Sequence, residues 1–335
     1  MPPGAFVRQD IVPPSIAALR YPHERVLLPR TRLAYVHLHN LLTDAKRDRA
    51  ARVFGYVAIW LPEELVLLYM QEGELVNATV HDGRRPQAVP IAEALTKVPS
   101  APEYGEITFC EADDEQLACM YFTQVAAAEP WPAELEPTEP KLLFPYLMST
   151  TYDGVVEITV DGHVNYLILR NGSVERAFLS VGGKEPLVDR VQQLFARDGR
   201  PGRPSVHRWP VPPPIPVQAP HALIQAYREL TKGLVKRLLE AGKESASDIA
   251  EHAREGLVAK HPALQEFALV GVQRDPVADV QSLTAAIVAW VTEIVWAGVD
   301  LETHSPEAIL RDLTWERRHM LQSAGFFDRL PWKLT

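Results

Sequence analysis

The feature that most constrains this chain is that part of it occurs twice. One stretch runs from Gly55 through YVAIWLPEELVLLYMQE to Gly73 and on through ELVN to Ala78. Another runs from Gly154 through VVEITVDGHVNYLILRN to Gly172 and on through SVER to Ala177. In both, the glycines lie 18 residues apart and the alanine follows 5 residues later. A repeat with fixed spacing folds as the same local unit in both places, so two related modules are expected.

Each copy reads as three strands. Val57, Ile59 and Leu61 alternate in the first, and Val156, Ile158 and Val160 in the second, which is the period of a half-buried strand. Turns at Pro62-Glu63-Glu64 and Asp161-Gly162 lead to second strands at 65–70 and 164–169. The next turns carry Glu72-Gly73 and Asn171-Gly172. Asn-Gly suits a type I′ turn, whose two central residues both need positive φ. Third strands follow from Leu75 and Val174. Apolar helical stretches precede the copies at 37–50 and, interrupted by Pro145, at 141–148. Helices follow them at 91–98 and 186–195, the latter with Leu187, Val188, Val191, Leu194 and Phe195 at helical spacing.

The pattern resembles the PatA N-terminal-like (PATAN) domain family. The resemblance rests on a Leu-rich helix before the glycine that opens the sheet, on a hairpin of the form x-Gly-x-hydrophobic-x-x-Ala, and on the helix after it. It covers residues 32–125 and 140–210. The family's Gly-x-Phe-x-Phe strand is matched by Gly105-Glu106-Ile107-Thr108-Phe109, while the second copy offers only Val206–Val211. The resemblance implies a bacterial regulatory module that docks other proteins, motility and pilus machinery among them. It implies no catalytic residues. The receiver domain often fused to such modules is not found in this sequence.

The joins have their own composition. Residues 126–140 are acidic and carry Pro130, Pro132, Pro137 and Pro140, which predicts an extended linker. Residues 197–220 hold Arg197, Arg200, Arg203 and Arg208 before the proline run 210–216, a stiff connector with scope for a local phosphate contact. From His221 the strand signals stop. Helices are expected at 222–241 with Gly242 as C-cap, from Ser245 or Ser247 to about Lys260, at 263–270, at 277–296, and from Ser305 to Ala324. The fold class is therefore α+β, two related small-sheet and helix modules followed by an all-α helical bundle. Its parts are an N-terminal extension (1–31), module 1 (32–125), an acidic Pro-rich linker (126–140), module 2 (141–209), a second Pro-rich linker (210–220) and the bundle (221–335).

The formal net charge of −9 disfavours broad nucleic-acid or anionic-membrane binding. Cys110 and Cys119 cannot build a disulfide framework or a structural zinc site, and read as buried thiols in a reducing compartment. The N-terminus lacks the basic start and apolar run of a signal peptide. The most apolar stretch, 283–299, is short for a span and carries Glu293, so it reads as a central bundle helix buried nearly all round. The cytoplasm follows, and no cofactor or metal is expected.

Three functional classes remain. In the first, a non-catalytic adaptor docks a partner protein or a second copy of itself, with Phe326, Phe327 and Trp332 of the aromatic C-terminal segment as candidate partner-binding residues. In the second, an enzyme uses Glu293, Asp312, Glu316 and His319, the last three falling at i, i+4 and i+7 of one helix. The third is a structural subunit of a larger assembly.

Overall fold

The computed structural model describes residues 15–47, 53–98, 104–197, 200–201, 204–271, 273–298 and 305–332. The fold is mixed α+β. Its contacts form two compact units. One comprises the chain up to Val89 and Lys97–Ile215, the other Pro90–Thr96 and the chain from Pro216 on.

The first unit opens with a strap, residues 15–24, that includes a 3-10 turn at Ile16–Ala18. Then come β1 (Arg25–Arg32), α1 (Leu38–Arg47), β2 (Gly55–Trp60), β3 (Leu65–Gln71), β4 (Glu74–His81), β5 (Pro86–Val89), α2 (Ile91–Lys97, whose residues up to Thr96 belong to the second unit), β6 (Glu106–Glu111) and α3 (Asp114–Val125). The six strands form one antiparallel sheet in the order β1-β6-β2-β3-β4-β5. Next follow α4 (Pro140–Ser149), β7 (Gly154–Val160), β8 (His163–Arg170), β9 (Ser173–Phe178), α5 (Leu187–Gln193), a two-residue hairpin of β10 (Ala196–Arg197) and β11 (Arg200–Pro201), and β12 (Ser205–Trp209). Here the sheet order is β12-β7-β8-β9.

The two sheets agree residue for residue at an offset of 99, the step from Gly55 to Gly154. Val57 faces Leu68 and Val156 faces Leu167. Both second hairpins shift register at the same place, between Tyr69 and Met70 and between Ile168 and Leu169. Glu72-Gly73 and Asn171-Gly172 all have positive φ (52°, 79°, 49° and 75°), as a type I′ turn requires. The Gly73 N–H donates to the Val53 carbonyl at 2.9 Å, and Gly172 to Tyr152 at 2.9 Å. The outer strand obeys the offset too: Tyr56 pairs with Cys110, and Val155 with Trp209. A Cβ on Gly55 would stand 2.2 Å from the Cys110 carbonyl oxygen, and one on Gly154 2.3 Å from that of Trp209. Both repeat glycines are thus required by the close approach of the neighbouring strand. β12 is the strand whose counterpart the sequence did not make plain.

Period-two alternation sends the same face of each sheet into one core. Tyr56, Leu65, Leu67 and Tyr69 meet Val155, Val164, Tyr166 and Ile168 there, together with Leu117, Cys119 and Met120 of α3 and with Leu19 and Tyr21 of the strap. The other face of the second sheet (Val156, Ile158, Leu167, Leu169) packs on Leu143 and Leu147 of α4 and on Val191 and Phe195. Asp113 caps α3 by accepting from the Gln116 N–H at 2.8 Å, and Asp114 and Glu115 favour the positive end of its dipole.

Two expectations need correction. Residues 25–31, read as part of an extension, belong to strand β1 (Arg25–Arg32). Residues 126–140, read as an extended linker, are packed against the second sheet: Glu129 bridges Arg208 of β12, and the Trp131 indole donates to the Val206 carbonyl at 3.0 Å. The indole supplies the apolar surface that a solvated linker would lack.

The second unit is helical. α6 (His221–Glu240) ends in a Schellman motif: Gly242 has φ +83°, its N–H donates to Leu239, and Lys243 donates to Leu238. α7 (Ala246–Val258), a 3-10 turn (Pro262–Phe267) and α8 (Val280–Gly298) follow. Then come α9 (Pro306–Thr314), a 3-10 turn (Trp315–Arg317), α10 (Arg318–Ser323) and α11 (Phe326–Arg329). Ser305 caps α9 as expected. Trp290 is fully buried, donates to the Ala250 carbonyl at 2.7 Å and meets Phe267 edge-on. The Ile91 N–H donates to the side chain of Gln218 at 3.0 Å within the same unit. α8 is long and apolar enough, by length and composition alone, to cross a membrane. It is one-sided rather than buried all round: Leu283, Ile287, Trp290, Val291 and Ile294 face the core, while Glu293, Trp296 and Ala297 are exposed.

Candidate functional site

The three aromatic candidates do not share one environment. Phe326 is fully buried, with its ring 5.8 Å from Tyr227 and 5.5 Å from Phe327. Tyr227 is itself tied to Thr284 of α8 by a 2.8 Å hydroxyl contact. Phe326 is a core side chain and so cannot serve as a surface anchor. Its neighbour Gly325 takes φ +74°, which turns the chain back onto the core at that point. Phe327 and Trp332 are half-buried. The Trp332 ring lies 5.7 Å from that of Trp296, which is 54% exposed. The pair forms an aromatic surface at the C-terminal end of α8. The sequence pointed to Trp332 and missed Trp296, because α8 read as apolar on every side.

The carboxylate set does not converge. The helix expected to carry it is interrupted by the 3-10 turn at Trp315–Arg317, so the i, i+4, i+7 face is not continuous. Asp312 is paired with Arg237, and Arg317 reaches Glu229 at 3.4 Å. Glu316, His319 and Glu293 are exposed. Asp312 and Glu316 line one surface groove with Arg237 and Arg317, whereas Glu293 and His319 lie outside it. Glu293, on a helix expected to be buried nearly all round, sits on the solvent side of α8.

The basic join also resolves differently. Arg208 lies over three rings, with centroid distances of 4.8 Å to Trp131, 5.8 Å to Tyr146 and 5.4 Å to Tyr152. It donates to the Pro130 carbonyl at 2.8 Å. This cage holds segment 129–131 on β12 and takes Arg208 out of any phosphate contact. Arg203 falls outside the described residues.

On β7, half-buried at the shared core of the two sheets, sits Glu157. Burial pushes its carboxyl up to about 7, against the opposing hydrogen bonds of Thr123, Tyr166 and Thr159. Those neighbours are hydroxylic, and Thr123 in turn lies 3.4 Å from the Tyr166 hydroxyl. Burial raises both thiols as well, Cys119 to about 12, so neither is a ready nucleophile. Among the described residues no cluster of three or more His, Cys, Asp or Glu side chains is placed to hold a metal ion.

Beside β8 and α5 lies a cavity of about 470 Å3 lined by His163, Asn165, Gly182, Gly183, Arg190 and Gln193. Several of its polar groups are engaged within the fold. The Asn165 amide donates to the Ile158 and His163 carbonyls and accepts from the Ser180 N–H and hydroxyl. Arg190 donates to the Val181 carbonyl. Comparison of the chain with family models, curated proteins and solved structures found no match.

Proposed function

We propose that this chain is a non-catalytic bacterial regulatory or adaptor protein of the cytoplasm. In this reading it is built from two tandem PATAN-like modules and a helical bundle, and it acts by docking another protein. The supporting observation is what the two sheets share and what they do not. Strand order, register, bulge and glycine contacts recur at the 99-residue offset. The polar side chains do not recur: Asn77 answers to Arg176, Thr79 to Phe178, Thr108 to His207, and Ala58 to Glu157. A duplicated shape without a duplicated polar set serves surface recognition rather than chemistry, since chemistry needs particular groups at particular places.

The Trp296–Trp332 pair is the anchor this reading assigns on the helical unit, because half-exposed aromatics carry large contact area at low entropic cost. The test is capture of a partner from native lysate by full-length protein, followed by rebinding of the purified partner. A stoichiometric complex that the double variant Trp296→Ala/Trp332→Ala weakens by tenfold or more, with an unchanged thermal transition, supports it. An equally tight complex with the double variant removes the anchor. Failure to capture any partner, even after cross-linking, removes the adaptor reading.

A further inference from the structure

Around Trp60 the strap and the two sheets enclose a cavity of about 290 Å3. Its walls are largely apolar and aromatic: Tyr21 of the strap, Val26 and Pro29 of β1, Tyr56 and Trp60 of β2. Its rim is cationic. The guanidinium of Arg30 lies 4.0 Å from the Trp60 ring centroid and that of Arg20 lies 5.5 Å from it. Backbone pairing places Arg20 there. Its N–H donates to the Gly162 carbonyl and its own carbonyl accepts from Val164, both at 2.9 Å, which fastens the strap to β8.

The charges do not balance. Arg30 is paired with Glu106. Arg20 donates only to the Ala17 and Leu19 carbonyls, at 2.8 and 2.7 Å, and among the described residues no carboxylate is within ion-pair reach of it. Burial first, and then the nearby Arg30, push its guanidinium below the usual range. Trp60 is 5% exposed, and its indole N–H has no acceptor among the described residues. An unbalanced cation at the mouth of an apolar and aromatic hollow has a simple complement, an oxyanion carried on a small apolar body.

We propose that this cavity binds a small organic anion. Its phosphate or carboxylate lies between Arg20 and Arg30, and its body rests against Tyr21, Tyr56 and the Trp60 ring. Guanidinium forks match either oxyanion. The volume, at the low end of the roughly 300–1,000 Å3 of small-molecule sites, suits one ring with one anionic group and not a dinucleotide. The strap, β1, β2 and β8 all supply residues, so the ligand bridges the strap and both sheets. The site goes beyond the docking reading and stands without it.

The test follows the indole N–H resonances of the full chain by NMR, with Trp60→Phe assigning the Trp60 peak. The probes are phenyl phosphate, benzoate and the neutral benzyl alcohol. At least one anion is expected to shift the Trp60 resonance saturably at millimolar concentration, and the alcohol to leave it in place. The stronger anion identifies the oxyanion. Arg20→Gln is expected to weaken that anion about tenfold, and Arg190→Gln in the neighbouring cavity to leave it unchanged. Arg20→Lys keeps the charge and loses the fork, so it is expected to weaken the anion even if Arg20→Gln does not fold. No saturable shift by either anion, equal response to the alcohol, or undiminished binding in the Arg20 variants would overturn the proposal.

Discussion

The two sheets of the first unit share an interior and differ at their edges. Inside, the pairing is the same strand for strand, down to the bulge and to the carbonyl that crowds each opening glycine. At the edges the first sheet adds two full strands, β1 and β5. The second has isolated bridges at Glu129 and Arg20 instead, and among the described residues no strand pairs beyond β9. Register is thus held by contacts every strand takes part in, whereas an edge is held by one or two local contacts. Edges are where strands must be covered individually, and the Arg208 cage is how the second sheet covers one of its own.

The largest expected effect tests the shared interior. Gly55→Ala and Gly154→Ala each force a methyl group into a backbone carbonyl, and each should cost on the order of 3 kcal/mol in urea unfolding. A loss at one site and none at the other would break the equivalence. Next comes an edge that only the second sheet has. Trp131→Ala removes the ring over Arg208 and the bond to Val206, and about 2 kcal/mol should go with them, roughly half of what a fully buried tryptophan costs.

A smaller effect separates Glu157 from its counterpart Ala58. The folded-state pKa of Glu157, about 7, lies above its ordinary carboxylate value. Below that ordinary value both states hold the proton. As pH rises the unfolded chain ionises first, so the native state loses stability from the ordinary carboxylate range up through about 7. Glu157→Gln should abolish this slope and be the more stable protein above it, by on the order of 1 kcal/mol. Thermal melts across that range check both statements. The smallest effect lies at the turn. Asn171 and Glu72 hold the same left-handed φ, which Asn tolerates better. Asn171→Glu should therefore cost about 0.5 kcal/mol by chemical denaturation, bringing the second turn level with the first.

The interior was the legible part. Gly73, Gly172 and the alternation from Val57 and Val156 announce strands and turns through local rules that need no tertiary knowledge. Gly242 and Ser305 announced helix ends for the same reason. The rest depends on distant partners. β1 is broken up by Pro29 and buries few residues, so its sequence shows no clean period. α3 buries Gln116, Thr123 and Gln124 beside its apolar side chains, which blurs its amphipathic face. β12 is the short polar SVHRW, a strand only because β7 offers it an edge. Arg20 and Trp60 come from separate segments, brought together by the strap's pairing with β8 and by the bonds of Tyr56 and Gln116 to the strap's carbonyls. Phe326 looked like a surface anchor because a short aromatic run near the C-terminus does not disclose what covers it.

The most direct test of the duplicated shape is native-state amide hydrogen exchange resolved to single residues. Protected amides in β2, β3 and β4 should recur 99 residues later in β7, β8 and β9, with both protection patterns interrupted at the bulges after Tyr69 and Ile168. A pattern in the second sheet displaced by one residue would turn its opposite face to the shared core, and the two sheets would then not be one shape repeated.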